Sequence, residues 1–149
     1  MAKTFLLGMN AKLYYGPRSD TPASLTPSSM TVIGNVKDLT LTMEAGEADI
    51  TTRANSGWRA TAPTLRECTV EFQMQFKPDD AAFQAVRTAF LTAGEIALAP
   101  LTDVHTEDGA FGPVGNFTIT SFSSSQPLEE AITVDVTAKL SAFGSIFEG

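Results

Sequence analysis

The chain has 149 residues, 43% of them hydrophobic, with a mean hydropathy of +0.03, enough for one domain whose core buries about two-thirds of the unfolded surface. Seventeen acidic residues against ten basic give a net charge of −7. That balance excludes a groove-hugging nucleic-acid binder, which needs cationic surface to displace counterions, but not a protein that encloses DNA without holding it.

The lone Cys68 excludes an internal disulfide, and its place in an apolar row marks a reduced core thiol. No apolar run approaches the ~18–20 residues of a membrane span. The few apolar or small residues after Lys3, Phe5 to Met9, fall short of the ~7–15 of a secretory leader, so none is read.

In chain order, residues 1–15 read as an edge strand or N-terminal arm, with Phe5-Leu6-Leu7 and Lys12-Leu13-Tyr14-Tyr15 ended by Gly16-Pro17. Residues 18–35 form a Ser/Thr/Pro loop; its segment 18–31 holds seven Ser or Thr plus Pro22 and Pro27, a solvated composition with little intrinsic structure. From Val36 to Met43, Leu39, Leu41 and Met43 alternate with Asp38, Thr40 and Thr42, a half-buried strand. Ala45-Gly46 breaks it, and Ala48 to Arg53 reads as another short strand.

The segment 54–65 is a polar excursion carrying Trp58, the only tryptophan. After it Cys68, Val70, Phe72, Met74 and Phe76 alternate with Glu67, Thr69, Glu71, Gln73 and Gln75, a long strand with one wet face. Pro78-Asp79-Asp80 then switches the period. Asp79 suits an N-cap with Asp80 in the first turn, Phe83, Val86, Phe90 and Leu91 recur at helical spacing, and Gly94 suits a left-handed C-cap, predicting a helix over about 79–93. Glu95–Leu101 is a short strand, 102–113 a polar loop and Val114–Phe122 a strand. The last strand is entered by Glu129-Glu130, with Ile132, Val134, Val136, Ala138 and Leu140 on one face and Thr133, Asp135, Thr137 and Lys139 on the other. Phe143 to Gly149 reads as an apolar C-terminal arm. The whole is one mainly-β (α+β) domain over 1–149, a sandwich or open barrel with one flanking helix.

Catalytic chemistry finds no foothold. The single His105, among Asp103, Glu107 and Asp108, lacks the nitrogen and sulfur companions of a transition-metal site. Gly109, Gly112 and Gly115 open a strand, not the helix a phosphate loop needs, and read as a turn. Glu129 and Glu130, adjacent on a strand, point to opposite faces and cannot act as an acid/base pair. No catalytic, cofactor or metal residue is therefore expected. Trp58 beside Arg59 is different: a large ring in a polar loop either folds back or plugs a partner's pocket, and both residue types are enriched at interface hot spots.

The run Glu47-Ala-Asp49-Ile-Thr-Thr-Arg53, the Gly57-Trp58-Arg59 step, the long alternating strand and helix, and the Gly112–Phe122 and final strands resemble the tail tube (major tail) proteins of tailed bacteriophages, over roughly Val36 to Leu140. The resemblance implies a structural virion protein, assembled in the host cytoplasm. Six copies would form a ring around a continuous inner barrel, and stacked rings a tube that passes genomic DNA, with tape-measure, terminator and baseplate proteins as partners. It further implies an inter-ring stacking loop with Trp58 buried in the next ring and Arg53 or Arg59 paired to Asp49 or Glu47. Leu13, Tyr14, Phe143, Ile146 and Phe147 would be interface arms, and Asp38, Thr40, Glu67, Glu71, Gln73, Thr133, Asp135 and Lys139 lumen-facing. The inner tube of a contractile or type VI-like apparatus is the nearest alternative. A small ligand-binding sandwich, with Trp58 and Tyr14/Tyr15 as stacking platforms, is another; the core phase of the phenylalanines favours assembly over it.

Overall fold

The computed structural model describes residues 11–148; Phe5-Leu6-Leu7 lies outside them. The strands are β1 (Lys12–Pro17), β2 (Thr31–Val32), β3 (Val36–Asp49), β4 (Thr61–Gln75), β5 (Glu95–Leu101), β6 (Phe111–Ser125) and β7 (Thr133–Glu148). They form one open antiparallel sheet in the order β2-β1-β5-β6-β7-β4-β3. Helix α1 (Ala81–Leu91) joins β4 to β5.

The alternation in the sequence sets the core. Val70, Phe72 and Met74 of β4, Val134, Val136 and Ala138 of β7, Phe117 and Ile119 of β6, and Ile96 and Leu98 of β5 share one apolar face, which Ala82, Phe83, Val86 and Ala89 of α1 cover. Cys68 is buried on that face as expected, and burial pushes its thiol up. Strand β5 is buried on its other face too, where Ala99 and Leu101 meet Tyr14 and Val114.

Several expectations are corrected. β1 is an internal strand, paired on one side with β5 from Lys12↔Leu101 to Pro17↔Ile96 and on the other with β2. Its Leu13 and Tyr14 are buried in their own subunit, so they are not arm residues free to reach a neighbour. The 18–31 segment is largely exposed, as its composition predicts, but it is structured. It makes two 3-10 turns, Pro22–Ser24 and Pro27–Ser29, and packs Leu25 and Met30 on the second face of the sheet. The buried Asn116 ties it down, accepting from Ser19 N at 3.1 Å and donating to Ser19 O at 2.7 Å.

Gly46 does not end a strand. β3 runs unbroken to Asp49, with an irregularity of register between Ala45 and Glu47, and Arg53 lies in a 3-10 turn. The C-terminal arm is also a strand: β7 continues to Glu148, pairing with β6 from Gly115↔Phe143 to Phe111↔Glu148. There the glycines serve close approach. A Cβ on Gly112 would lie 1.8 Å from Pro100 O, and one on Gly144 would lie 2.4 Å from Pro22 O. The helix is capped by Asp80, not Asp79, through Phe83 N at 3.1 Å, and Ala93, not Gly94, takes the left-handed position, with Gly94 N closing onto Ala89 O at 2.9 Å. Glu129 and Glu130 fall in a turn before β7.

Candidate assembly surfaces

The register brings the sequence-predicted polar positions together on the face away from α1. Asp38 pairs with Gln73, Thr40 with Glu71 and Thr42 with Thr69. Gln73 in turn pairs with Asp135, Glu71 with Thr137, Thr69 with Lys139 and Gln75 with Thr133. β6 extends the rows with Ser123 opposite Asp135 and Ser125 opposite Thr133. Directly opposed residues share a face, so four strands present one polar surface of hydroxyls, amides and carboxylates. Gln73 Nε2 donates to Asp135 Oδ1 at 3.0 Å across it. Its far margin is Glu95, opposite Thr118. Ser141 donates to Glu95 at 2.6 Å and Arg18 at 2.9 Å, and these bonds, the Ser141 one first, hold the carboxyl below its ordinary value.

The segment 54–65 divides in two: its last residues, from Thr61, belong to β4, and the tip of the β3–β4 hairpin is 50–60. Ile50 N closes it onto Ala60 O at 3.0 Å. Ser56 and Gly57 both take positive φ, 51° and 85°, a reversal for which glycine is suited. Trp58 is 77% exposed and so does not fold back. Asp49 is engaged in the tip's own turn: it accepts from Thr51 N at 2.8 Å, and Thr51, through its hydroxyl and then its backbone N–H, lowers the Asp49 carboxyl. Among the described residues no ion pair forms at Arg53 or Arg59. Glu47, also exposed, lies lower on the hairpin opposite Pro63.

Beyond Thr69↔Lys139, β7 parts from β4. β3–β4 and β6–β7 diverge as two ribbons, and the groove between them is lined by Met43, Cys68, Leu140, Phe143 and Ile146. Phe143 and Ile146 are exposed here, while Phe147 leans on the small cluster with Tyr14. Of the five residues expected in interface arms, only Phe143 and Ile146 thus remain available to a neighbour. Sequence reasoning missed this groove, because it requires knowing where β4 and β7 separate. It also passed over Leu128, 99% exposed at the β6–β7 turn; the signal was a large aliphatic residue between Pro127 and two glutamates.

A helix on one face of a single open sheet, a projecting hairpin and a polar four-stranded face are the surfaces this fold offers. By sequence, residues 19–143 match the phage tail tube protein family, and the chain belongs to it. The fold is similar to the tail of an empty gene transfer agent (GTA) particle solved with C6 symmetry (TM-score 0.72, 16% identity, 97% of this chain and 99% of that chain). It is also similar to a chain of the native gene transfer agent virion (TM-score 0.71, 15% identity, 97% and 99%) and to the SPP1 tail tube (TM-score 0.69, 14% identity, 97% and 79%). No curated protein matches it by sequence.

Proposed function

We propose that six copies of this chain close into a ring with the polar face of β3, β4, β7 and β6 toward a water-filled lumen, and that rings stack into a tube conducting DNA. The chain acts as a structural component of a virion tail, without catalysis or cofactor, assembled in the host cytoplasm alongside tape-measure, terminator and baseplate proteins. The observation that carries this is the unbroken polar face in a member of the tail tube family. A wall of Thr, Ser, Gln, Asp and Glu, with Lys139 its only cation in the rows from 38 to 75 and 133 to 139, keeps the passage wet and repels phosphate weakly. Closing the sheet on neighbouring copies also removes open strand edges, which otherwise invite aggregation. Met43, Phe143 and Ile146 are the apolar groups such a neighbour would cover.

Electron microscopy of the purified chain tests assembly: tubes or sixfold rings are expected, and monodisperse monomers at high concentration overturn the reading. The lumen assignment is tested by Glu71→Lys with Asp135→Lys. Assembled tails should then retain DNA through salt-sensitive phosphate contacts and eject slowly. Normal assembly with normal ejection places these residues outside the channel.

A further inference from the structure

The two long hairpins point in opposite directions. β4 runs from the 50–60 tip down to Gln75, which pairs with Thr133, the first residue of β7. The β6–β7 turn, 126–132, therefore lies at the end of the sheet opposite the β3–β4 tip. The 15 residues of β4 separate the two ends by ~50 Å. Each end carries a large apolar side chain that its own fold leaves in water: Trp58 at one, Leu128 at the other. Their charges are opposite. Residues 50–60 contain Arg53 and Arg59 and no carboxylate, while 126–132 contain Glu129 and Glu130 and no cation.

From this complementarity we propose that the 126–132 turn of one copy docks on the 50–60 tip of the next copy along the stack. Leu128 lies against the Trp58 indole, and Glu129 and Glu130 pair with Arg59 and Arg53. The contact is heterologous, head to tail, and so propagates without closing on itself. It replaces Asp49, whose carboxylate is already engaged by Thr51, as the acidic partner of the tip arginines. The proposal rests on the stacked-ring reading above and names the surface that each ring offers the next.

The test uses the full chain under conditions where the wild type forms tubes; absence of tubes there would overturn the stacking reading itself. Glu129→Lys with Glu130→Lys should raise the concentration needed for tube formation at least about tenfold, since it sets like charges against Arg53 and Arg59. Adding Arg53→Glu and Arg59→Glu should restore growth. Thermal melting of the dissociated subunits controls for folding, as all four residues are exposed. A second arm co-assembles Ser56→Cys subunits with Ala131→Cys subunits and treats the tubes with a short bis-maleimide. Cross-linked dimers joining one variant to the other are expected. Wild-type tubes with unchanged growth of the lysine variant, or with no cross-link between the variants, overturn the docking while leaving the tube intact.

Discussion

The β6–β7 and β3–β4 hairpins are nearly equal in strand length and opposite in circumstance. Strand β6 is flanked by β5 and β7 and lies under α1, and it contributes Val114, Phe117 and Ile119 to buried clusters. The β3–β4 ribbon is anchored only at its base. From Thr42 to Glu67 no described side chain is buried, and Leu65 stands 83% exposed. A lone two-stranded ribbon in water is marginal. One hairpin thus holds the subunit together, and the other is stable only where something else covers it. The residues that form the core and those proposed for assembly are different, and the contrast can be broken from either side.

The largest effect is expected in the buried hairpin. Phe117→Ala removes a fully buried ring and should cost ~3–5 kcal/mol, whereas Leu65→Ala should shift subunit stability by less than ~0.5 kcal/mol. Urea titration of dissociated subunits measures both, and equal costs would erase the distinction. Next in size, Trp58→Ala should leave that titration unchanged while weakening ring stacking by about 2 kcal/mol or more per contact; tube growth at wild-type concentration would refute it. Hydrogen exchange sharpens the contrast. In dissociated subunits the amides of β1, β5 and residues 133–140 should be protected and those of 43–66 not, with protection of 43–66 appearing only in tubes.

These expectations show where the sequence was legible. Strands β4 and β7 and the helix were readable because a sheet with one buried face writes its period directly into the chain. Gly46 misled because a register irregularity leaves the same local signal as a strand end. Residues 18–31 misled because Leu25, Met30 and the Asn116 bonds to Ser19 are held by non-local contacts that have no period. Phe143 and Ile146 were recognisable as large apolar residues near the chain end, and Trp58 as a large ring in a polar loop; all three are exposed in the subunit. The groove and the acidic turn depend on strand register, which a single sequence does not display.

The smallest expected effect concerns the margin where the 18–24 segment meets the sheet. Glu95 is held below its ordinary value of 4.5 by Ser141 and Arg18. A lowered carboxylate stabilises the fold fully above its unfolded value and loses that contribution as pH falls through the folded one. Acid titration should therefore destabilise wild type slightly more than Glu95→Gln below about pH 4.5, by under ~1 kcal/mol for a half-buried group paired at the surface. Parallel acid profiles would remove Glu95 from the account.

Hairpins that leave a subunit from opposite ends give any polymer built on them a direction. In the proposed tube every added ring would make the same bond, so both ends of the filament would share one equilibrium subunit concentration for growth. The ends nevertheless expose different chemistry: indole and guanidinium at one, an aliphatic side chain and carboxylates at the other. A capping protein shaped for one end finds nothing to hold at the other, so growth can be stopped at one end while it continues at the opposite one.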